Sequence, residues 1–533
     1  MSSCSSVAQI ALPCNGSIVE EEGFSVRDAE AVYRPRNPEE NPLYGVISEH
    51  LETFLARQRE RNRPVPHFVE RELRAFLDCG ILARGFLRVH SDACGKDRIV
   101  PFSCKGRAVC SSCCGRRMAD TAAHLVDRVF PTVPIRQWVL SLPFALRYRL
   151  AYDSRLVRDV LRIFVQTIFS SLRRRARQYR GIRKSKCGGV TFVQRFGGAI
   201  NLNIHFHSLL MDGIYYEDAN KGVCFQRLPP PTDNEVARVT ACIVKKIQRL
   251  LERRGLGPQA DPEEADPLLL EQPLLAELFS ASVLGRIAFG PGAGKRLKGV
   301  KFEFEMENEG KKPGHCCANF LGFSLHANVC VPAKARRQLE NICRYVARPA
   351  VATERLSRFP DGRVLYRLRH RWRDGTSHVI FDPLDLIGKL AALVSPPRFN
   401  LVRYHGVLAP SARWRPRIVP AVLADEHTLL SCPDCPVKKE EKNSKGKNGQ
   451  NSNVGHPRNY SWSELMKRVF GLDVLKCDRC GGRMRILCAI NPPDAIKKIL
   501  ECLGLPSRPP PGFAAATPGR PISSALPDRP LNY

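Results

Sequence analysis

The sequence of 533 residues is short of acidic side chains: 52 Asp and Glu stand against 83 Lys and Arg, a formal net charge of +31. That balance disfavours acidic surroundings and favours a polyanionic partner, either nucleic acid or an anionic membrane. Long apolar runs are also missing. A membrane-spanning helix needs about 20 apolar residues, whereas the best candidate, Trp138 to Leu146, is shorter and holds a proline. No membrane partner is therefore expected. The first twenty residues lack a basic segment, so no secretory leader is expected either. No internal repeat is visible. The cysteines are odd in number, 21, and clustered, unlike a small secreted disulfide framework. What is present is a hydrophobic fraction of 43%, which excludes wholesale disorder, and a length that suggests roughly three to four domains.

The cysteines cluster at zinc-ligand spacing. Cys110-x2-Cys113 supplies two thiolates from one tight turn, and Cys94 and Cys104 can complete a tetrahedral Zn²⁺ site, with Cys114 and His90 nearby. Arg116 and Arg117 follow directly, which suits a metal-stiffened module lying on phosphates. Cys477-x2-Cys480 has zinc-ribbon form and could share a second site with Cys432-x2-Cys435 across a long Asn-, Gly- and Ser-rich linker. The alternative is two unpaired turns. Cys187, Cys224, Cys242, Cys330 and Cys343 are isolated and read as core fillers.

Residues 200–207 alternate strictly. Ile200, Leu202, Ile204 and Phe206 face one way, and Asn201, Asn203, His205 and His207 the other. Two neutral imidazoles side by side on a strand can hold a divalent cation, although a lone pair of this kind is also common as ordinary surface histidine. The strand pattern Val190 to Phe196 precedes it, separated by the turn signal Gly197-Gly198, so Gln194 can lie beside the histidines as a third ligand or a DNA contact. Further on, a helix over Ala333 to Ala347 puts Leu339, Ile342, Cys343 and Val346 on one face and Tyr345 at the edge of that stripe. Taken alone, the tyrosine reads as a half-buried packing residue. Taken with the histidines, it suggests metal-assisted phosphoryl transfer in which a phenol attacks a DNA phosphate. Arg344 and Arg348 flank it. Arg173, Arg174 and Arg175 open a basic run that reads as a phosphate track or a solvated helix end.

The blocks PFSCKGRAVCSSCCGRRM, IRQWVLSLPFALRY, TFVQRFGGAINLNIHFHSLLMDG, ICRYVARPAVATERL and NLVRYHGVLAPSARWRP, with NYSWSELMKRVFGLDVLKCDRCGGRMRIL near the C-terminus, resemble the IS91-type rolling-circle transposases, and among them the common-region branch. The resemblance implies an α+β fold: an HUH endonuclease domain, an antiparallel sheet flanked by helices, with an N-terminal zinc-binding module. It implies His205 and His207 as ligands of Mg²⁺ or Mn²⁺, Gln194 beside them, Tyr345 as nucleophile, and Zn²⁺ in the N-terminal module. The implied reaction is nicking and joining of single-stranded DNA at element ends and target, through a covalent 5′-phosphotyrosine. Asn341 stands where many relatives have a first tyrosine, so a second strand transfer uses the released 3′-hydroxyl or another protomer, and a homodimer is among the expected partners. Ser91 stands where relatives often have the first zinc-site cysteine, which leaves His90 or Cys104 as its replacement. The implied location is the bacterial cytoplasm, with the nucleoid. A rolling-circle replication initiator and a non-catalytic zinc-module DNA-binding regulator are the rival readings.

The expected organisation is a helical region over 1–75, a zinc-binding, DNA-binding module over 76–130, and an HUH nuclease domain over 131–350 with an insertion at 217–318. A family-specific extension at 351–425, a linker at 426–458, a zinc-ribbon-like region at 459–505 and a disordered tail at 506–533 complete it. Phe289 to Arg296 looks like a phosphate loop but lacks the required first glycine and the Ser/Thr after its lysine. His315-Cys316-Cys317 reads as loop.

Overall fold

A computed structural model describes residues 37–38, 40–257, 266–301, 315–372, 374–420 and 460–510. The chain is a mixture of helices and antiparallel sheets. Its centre is a sheet ordered Val402–Gly406, Gly188–Phe196, Leu202–Met211, Ile135–Ser141, Phe323–His326, Cys317–Phe320, with Cys330–Val331 also paired to Ile135–Ser141. Every described pairing in it is antiparallel. The His-x-His strand, Leu202–Met211, lies inside this sheet rather than at an edge.

The two faces of the sheet bury different helices. Leu202, Ile204, Phe206 and Leu210 join Trp138, Leu140 and Val193 in a core with the long helix Ser154–Arg180 and the helices Pro273–Val283 and Pro383–Leu393. Asp153 caps the long helix by accepting from the Leu156 N–H at 2.8 Å, and Gly181 ends it in the left-handed conformation. On the opposite face, Val190, Phe192, Leu209 and Met211 pack with helix Ser111–Arg128 and with helix Arg336–Val346, the helix of Tyr345. Period-two alternation along one strand therefore sends the aliphatic side chains to one core and the histidines toward the tyrosine helix.

Several expectations shift by a few residues. Strand Gly188–Phe196 is joined to Leu202–Met211 by residues 197–201 rather than by a two-residue turn, because Ile200 takes a left-handed φ of +56° and the Gly197 N–H reaches the Asn201 carbonyl at 2.8 Å. An irregularity between Gln194 and Phe196 then sets Gln194 directly opposite His205. Cys317–Phe320 and Phe323–His326 form a hairpin turned by Leu321 and Gly322 at positive φ. Cys317 thus starts a strand, and its thiol lies 2.9 Å from His326 Nδ1. A second hairpin, turning at Asp374-Gly375, pairs Val364–Arg367 with His378–Phe381. Among the isolated cysteines, Cys187 and Cys343 are buried, Cys224 and Cys330 are half-buried, and Cys242 is exposed, so only two fill the core.

A buried ion pair fixes the far end of the His-x-His strand. Arg136 donates two hydrogen bonds to Asp212, both at 2.8 Å, and a third to the Ala327 carbonyl at 2.9 Å. This ties Ile135–Ser141 to the strands on either side of it. Asp212 is only 3% exposed, so deleting its carboxylate strands a guanidinium in the interior. Asp212→Ala is expected to cost about 3–5 kcal/mol of stability, seen as a lower urea midpoint; an unchanged midpoint would show that the pair does not hold the sheet.

Candidate functional site

Four thiols meet where two helices and a hairpin converge. Cys79 ends helix His67–Asp78, Cys104 follows strand Asp97–Pro101, and Cys110 and Cys113 open helix Ser111–Arg128. Their sulfurs lie within 4.8 Å of one another, with Cys79–Cys113 and Cys79–Cys110 at 3.7 Å and Cys104–Cys113 at 3.4 Å. Hydrogen bonds from Cys104, then Cys110 and Cys79, hold Cys113 well below the ordinary thiol range, while the same crowding drives Cys104 far above it. Four thiols this close cannot all ionise without a cation, and tetrahedral Zn²⁺ takes this donor set. The residues fit zinc.

The sequence-based ligand set included Cys94 in this group; the structure puts Cys79 there. Cys79 lies apart from the clustered cysteines in sequence, and the fold brings it in: Glu72 on its helix accepts from the Arg107 and Ala108 N–H groups at 2.7 and 2.9 Å, and the Cys104 N–H donates to Cys79 Sγ at 3.4 Å. Cys94 instead approaches Cys477 and Cys480. His90 belongs to neither group, since its Nδ1 is 2.9 Å from Asp97 Oδ1. Cys114 is buried, its thiol pushed up to about 12 by that burial. Cys432 and Cys435 lie outside the described residues.

The second constellation sits on the sheet face beneath the tyrosine helix. The rings of His205 and His207 are 4.9 Å apart between centroids, and Tyr345 stands edge-on over His207 at 6.1 Å and 83°. His205 Nδ1 donates to the Asn203 carbonyl at 2.8 Å, which leaves its Nε2 as a lone-pair donor. His207 Nδ1 lies 3.0 Å from Gln137 Nε2, an amide whose nitrogen and oxygen can exchange places by a flip, and the buried Nε2 of His207 has no hydrogen-bond partner. With the amide oxygen turned toward Nδ1–H, Nε2 becomes a free ligand atom. Gln194 Nε2 donates to the Val346 carbonyl at 3.3 Å, and Gln194 Oε1 is likewise buried without a partner. Burial holds His205 at about 4 and His207 well below its usual value, so both rings are neutral at pH 7, the form that binds a metal. Two orphaned buried acceptor positions beside a second imidazole fit a divalent cation. Sequence reasoning missed Gln137, whose place on strand Ile135–Ser141 puts it on the same face as His207.

Positive charge surrounds the phenol. The Arg348 guanidinium lies 4.2 Å from the Tyr345 ring centre and that of Arg369 5.1 Å. Tyr345 itself is 37% exposed. Arg344, in contrast, is engaged by Glu340 one turn back, as the i, i+4 spacing allows. Arg173 and Arg174 are exposed on the long helix, and Arg116 and Arg117 on the zinc-module helix. Arg175 departs from the expected track: helical periodicity turns it inward, where it is 4% exposed and pairs with Glu235 at 3.2 Å.

Both constellations fall within stretches that match known families. Residues 46–142, which contain all four clustered thiols, match the model described as "Transposase zinc-binding domain", of the IS91 type, and residues 188–415, which contain the histidines and Tyr345, match the one described as "Putative transposase". The two matches support an IS91-family transposase. No curated protein and no solved structure matches the chain. Among the described residues, no helix is long and apolar enough to cross a membrane. The zinc-domain match and the thiol cluster together support Zn²⁺ as a bound ion.

The two candidate ligand sets make different demands. Cys79→Ser is expected to loosen helices His67–Asp78 and Ser111–Arg128, seen as faster amide hydrogen exchange across both. Cys94→Ser is expected to leave their protection intact, and the reverse pattern would restore Cys94 to the first site.

Proposed function

We propose that the protein is an HUH-type single-strand DNA transesterase that nicks and rejoins element ends during rolling-circle transposition, with Tyr345 as nucleophile. The observation that carries this reading is the juxtaposition of an exposed phenol with buried, unpartnered His207 Nε2 and Gln194 Oε1. The Tyr345 oxygen attacks a phosphodiester phosphorus. The bond from phosphorus to the 3′ oxygen breaks, the phenol proton passes to solvent, and the leaving 3′ oxygen takes up a proton as a free hydroxyl. The product is a 5′-phosphotyrosine, and attack by a 3′-hydroxyl reverses the step.

A phenol, with an ordinary pKa of about 10, is a poor nucleophile at neutral pH. A divalent cation held by His205, His207 and Gln194 would supply charge neutralisation at the phosphate oxygens. Gln137 orients His207, and the Gln194 amide ties the ligand strand to the end of the tyrosine helix at Val346. Arg348 and Arg369 put positive charge where the phosphate oxygens arrive. Arg116 and Arg117 on one side of the sheet, and Arg173 and Arg174 on the helix that covers the other, are exposed cations for the phosphates of a cytoplasmic DNA strand. A single tyrosine leaves the second transfer to the released 3′-hydroxyl or to a second copy of the chain.

Incubation with end-labelled single-stranded terminus DNA is expected to give a covalent adduct on the new 5′ end made by the nick. Tyr345→Phe should abolish it, His207→Ala should lower its rate by roughly 10²–10³-fold, and Gln137→Leu should weaken metal dependence by roughly 10–100-fold. An adduct that survives Tyr345→Phe would refute the nucleophile, and salt-sensitive binding with no adduct in the unmutated chain would favour the DNA-binding regulator.

The charged surface is separately testable. Arg173→Ala is expected to reduce the slope of log K against log salt by about 0.7 on single strands. Arg175→Ala should leave that slope unchanged and destabilise the fold by about 3 kcal/mol, as breaking a buried pair does.

A further inference from the structure

Two turns far apart in sequence have the same construction. In the hairpin Ser91-Asp92-Ala93-Cys94-Gly95-Lys96, the Gly95 N–H donates to the Ser91 carbonyl at 2.8 Å and the Ser91 N–H donates to the Lys96 carbonyl at 2.9 Å. In Cys477-Asp478-Arg479-Cys480-Gly481-Gly482, the Gly481 N–H donates to the Cys477 carbonyl at 2.9 Å and the Cys477 N–H donates to the Gly482 carbonyl at 2.8 Å. The fifth residue is a left-handed glycine in both, with φ +69° at Gly95 and +70° at Gly481. Position for position, Cys94 corresponds to Cys480 and Ser91 to Cys477.

The turns face each other crosswise, the first position of each against the fourth of the other. Cys94 Sγ is 3.6 Å from Cys477 Sγ, and Ser91 Oγ is 3.4 Å from Cys480 Sγ. Tetrahedral zinc thiolates have sulfurs about 3.8 Å apart. Gly482 leaves room for the Cys480 thiol, since a Cβ there would lie 3.3 Å from Cys480 Sγ. Ser91 is fully buried, so its hydroxyl occupies an interior position whose equivalent in the partner turn is a thiol.

We propose that these two turns form a second zinc site, with Cys94, Cys477 and Cys480 as thiolate ligands and the Ser91 hydroxyl at the fourth position. It is a clasp between the N-terminal module and the C-terminal segment, which lies outside both family matches. A hydroxyl is a weaker ligand for zinc than a thiolate, so this is the more easily emptied of the two sites. The clasp closes a sheet shared by both ends: Arg485–Ile490 pairs antiparallel with Phe86–His90, and Lys96 and Arg98 both reach Asp478, at 2.7 and 2.9 Å. As a simple hydrophobic filler the group fits poorly, because Cys480 is exposed.

The test is elemental analysis and chelator-driven zinc release on the full chain. Two zinc ions per chain are expected. One should leave ahead of the other when 4-(2-pyridylazo)resorcinol is added, and Ser91→Cys should slow that first release roughly tenfold or more. Cys480→Ser, at an exposed position, should remove one zinc and speed amide exchange across 485–490 while leaving the first site loaded. One zinc per chain in both the unmutated protein and Ser91→Cys would overturn the proposal, as would a Cys480→Ser chain that keeps two.

Discussion

Everything at the candidate site depends on the alternation of one interior strand. In Leu202–Met211 the side chains at 202, 204, 206 and 210 are committed to the core over the long helix, and those at 205, 207, 209 and 211 to the opposite face. A slip of one residue would bury the imidazoles among leucines and expose Phe206 and Ile204, so the hydrophobic effect itself pins the register. With strands paired on both sides, the slip would also break the matches of Gln194 with His205 and of Val139 with His207. The same constraint makes the site buried enough to keep both histidines neutral.

The tyrosine reaches that site on a helix that cannot position itself. Arg336–Val346 has eleven residues and no side-chain N-cap, too short to persist without tertiary support. Leu339, Cys343 and Val346 anchor it on the sheet, and Arg336 bonds the Phe130 carbonyl at 2.9 Å, beyond the end of the zinc-module helix Ser111–Arg128. Arg468, from the C-terminal helix Trp462–Phe470, bridges Asp127 at 2.7 Å and Glu340 at 2.9 Å. The zinc module and the C-terminal segment therefore both brace the tyrosine helix. Metal at the thiol cluster would hold the first turn of Ser111–Arg128, and through that helix would contribute to where Tyr345 stands. The zinc-binding module is thus mechanically part of the site as well as a basic surface beside it.

Much of this was legible in the residues. The 3.6-residue period of the long helix and the tyrosine helix, and the two-residue period of the His-x-His strand, report local geometry that no distant contact can alter without exposing apolar area. Periodicity also placed Tyr345 on the rim of its helix, where it is accessible. Composition misled at Arg175, where a run of arginines conceals one that helical periodicity turns toward Glu235.

By itself, the sequence determined element types, the shared face of His205 and His207, the basic surface and the zinc-like chemistry of the cysteines, because each follows from spacing along a regular backbone or from composition. Which cysteines meet was decided only by tertiary structure. Cys79 joins Cys104, Cys110 and Cys113 because two helices converge, and Cys94 meets Cys477 and Cys480 because a strand from near the C-terminus pairs with one from near the N-terminus. The positioning of Gln137 against His207 and of Arg369 beside the phenol was decided in the same way. Spacing specifies which ligands one turn can offer. The closing of a site by residues hundreds of positions apart follows from how the burial of apolar surface folds the whole chain.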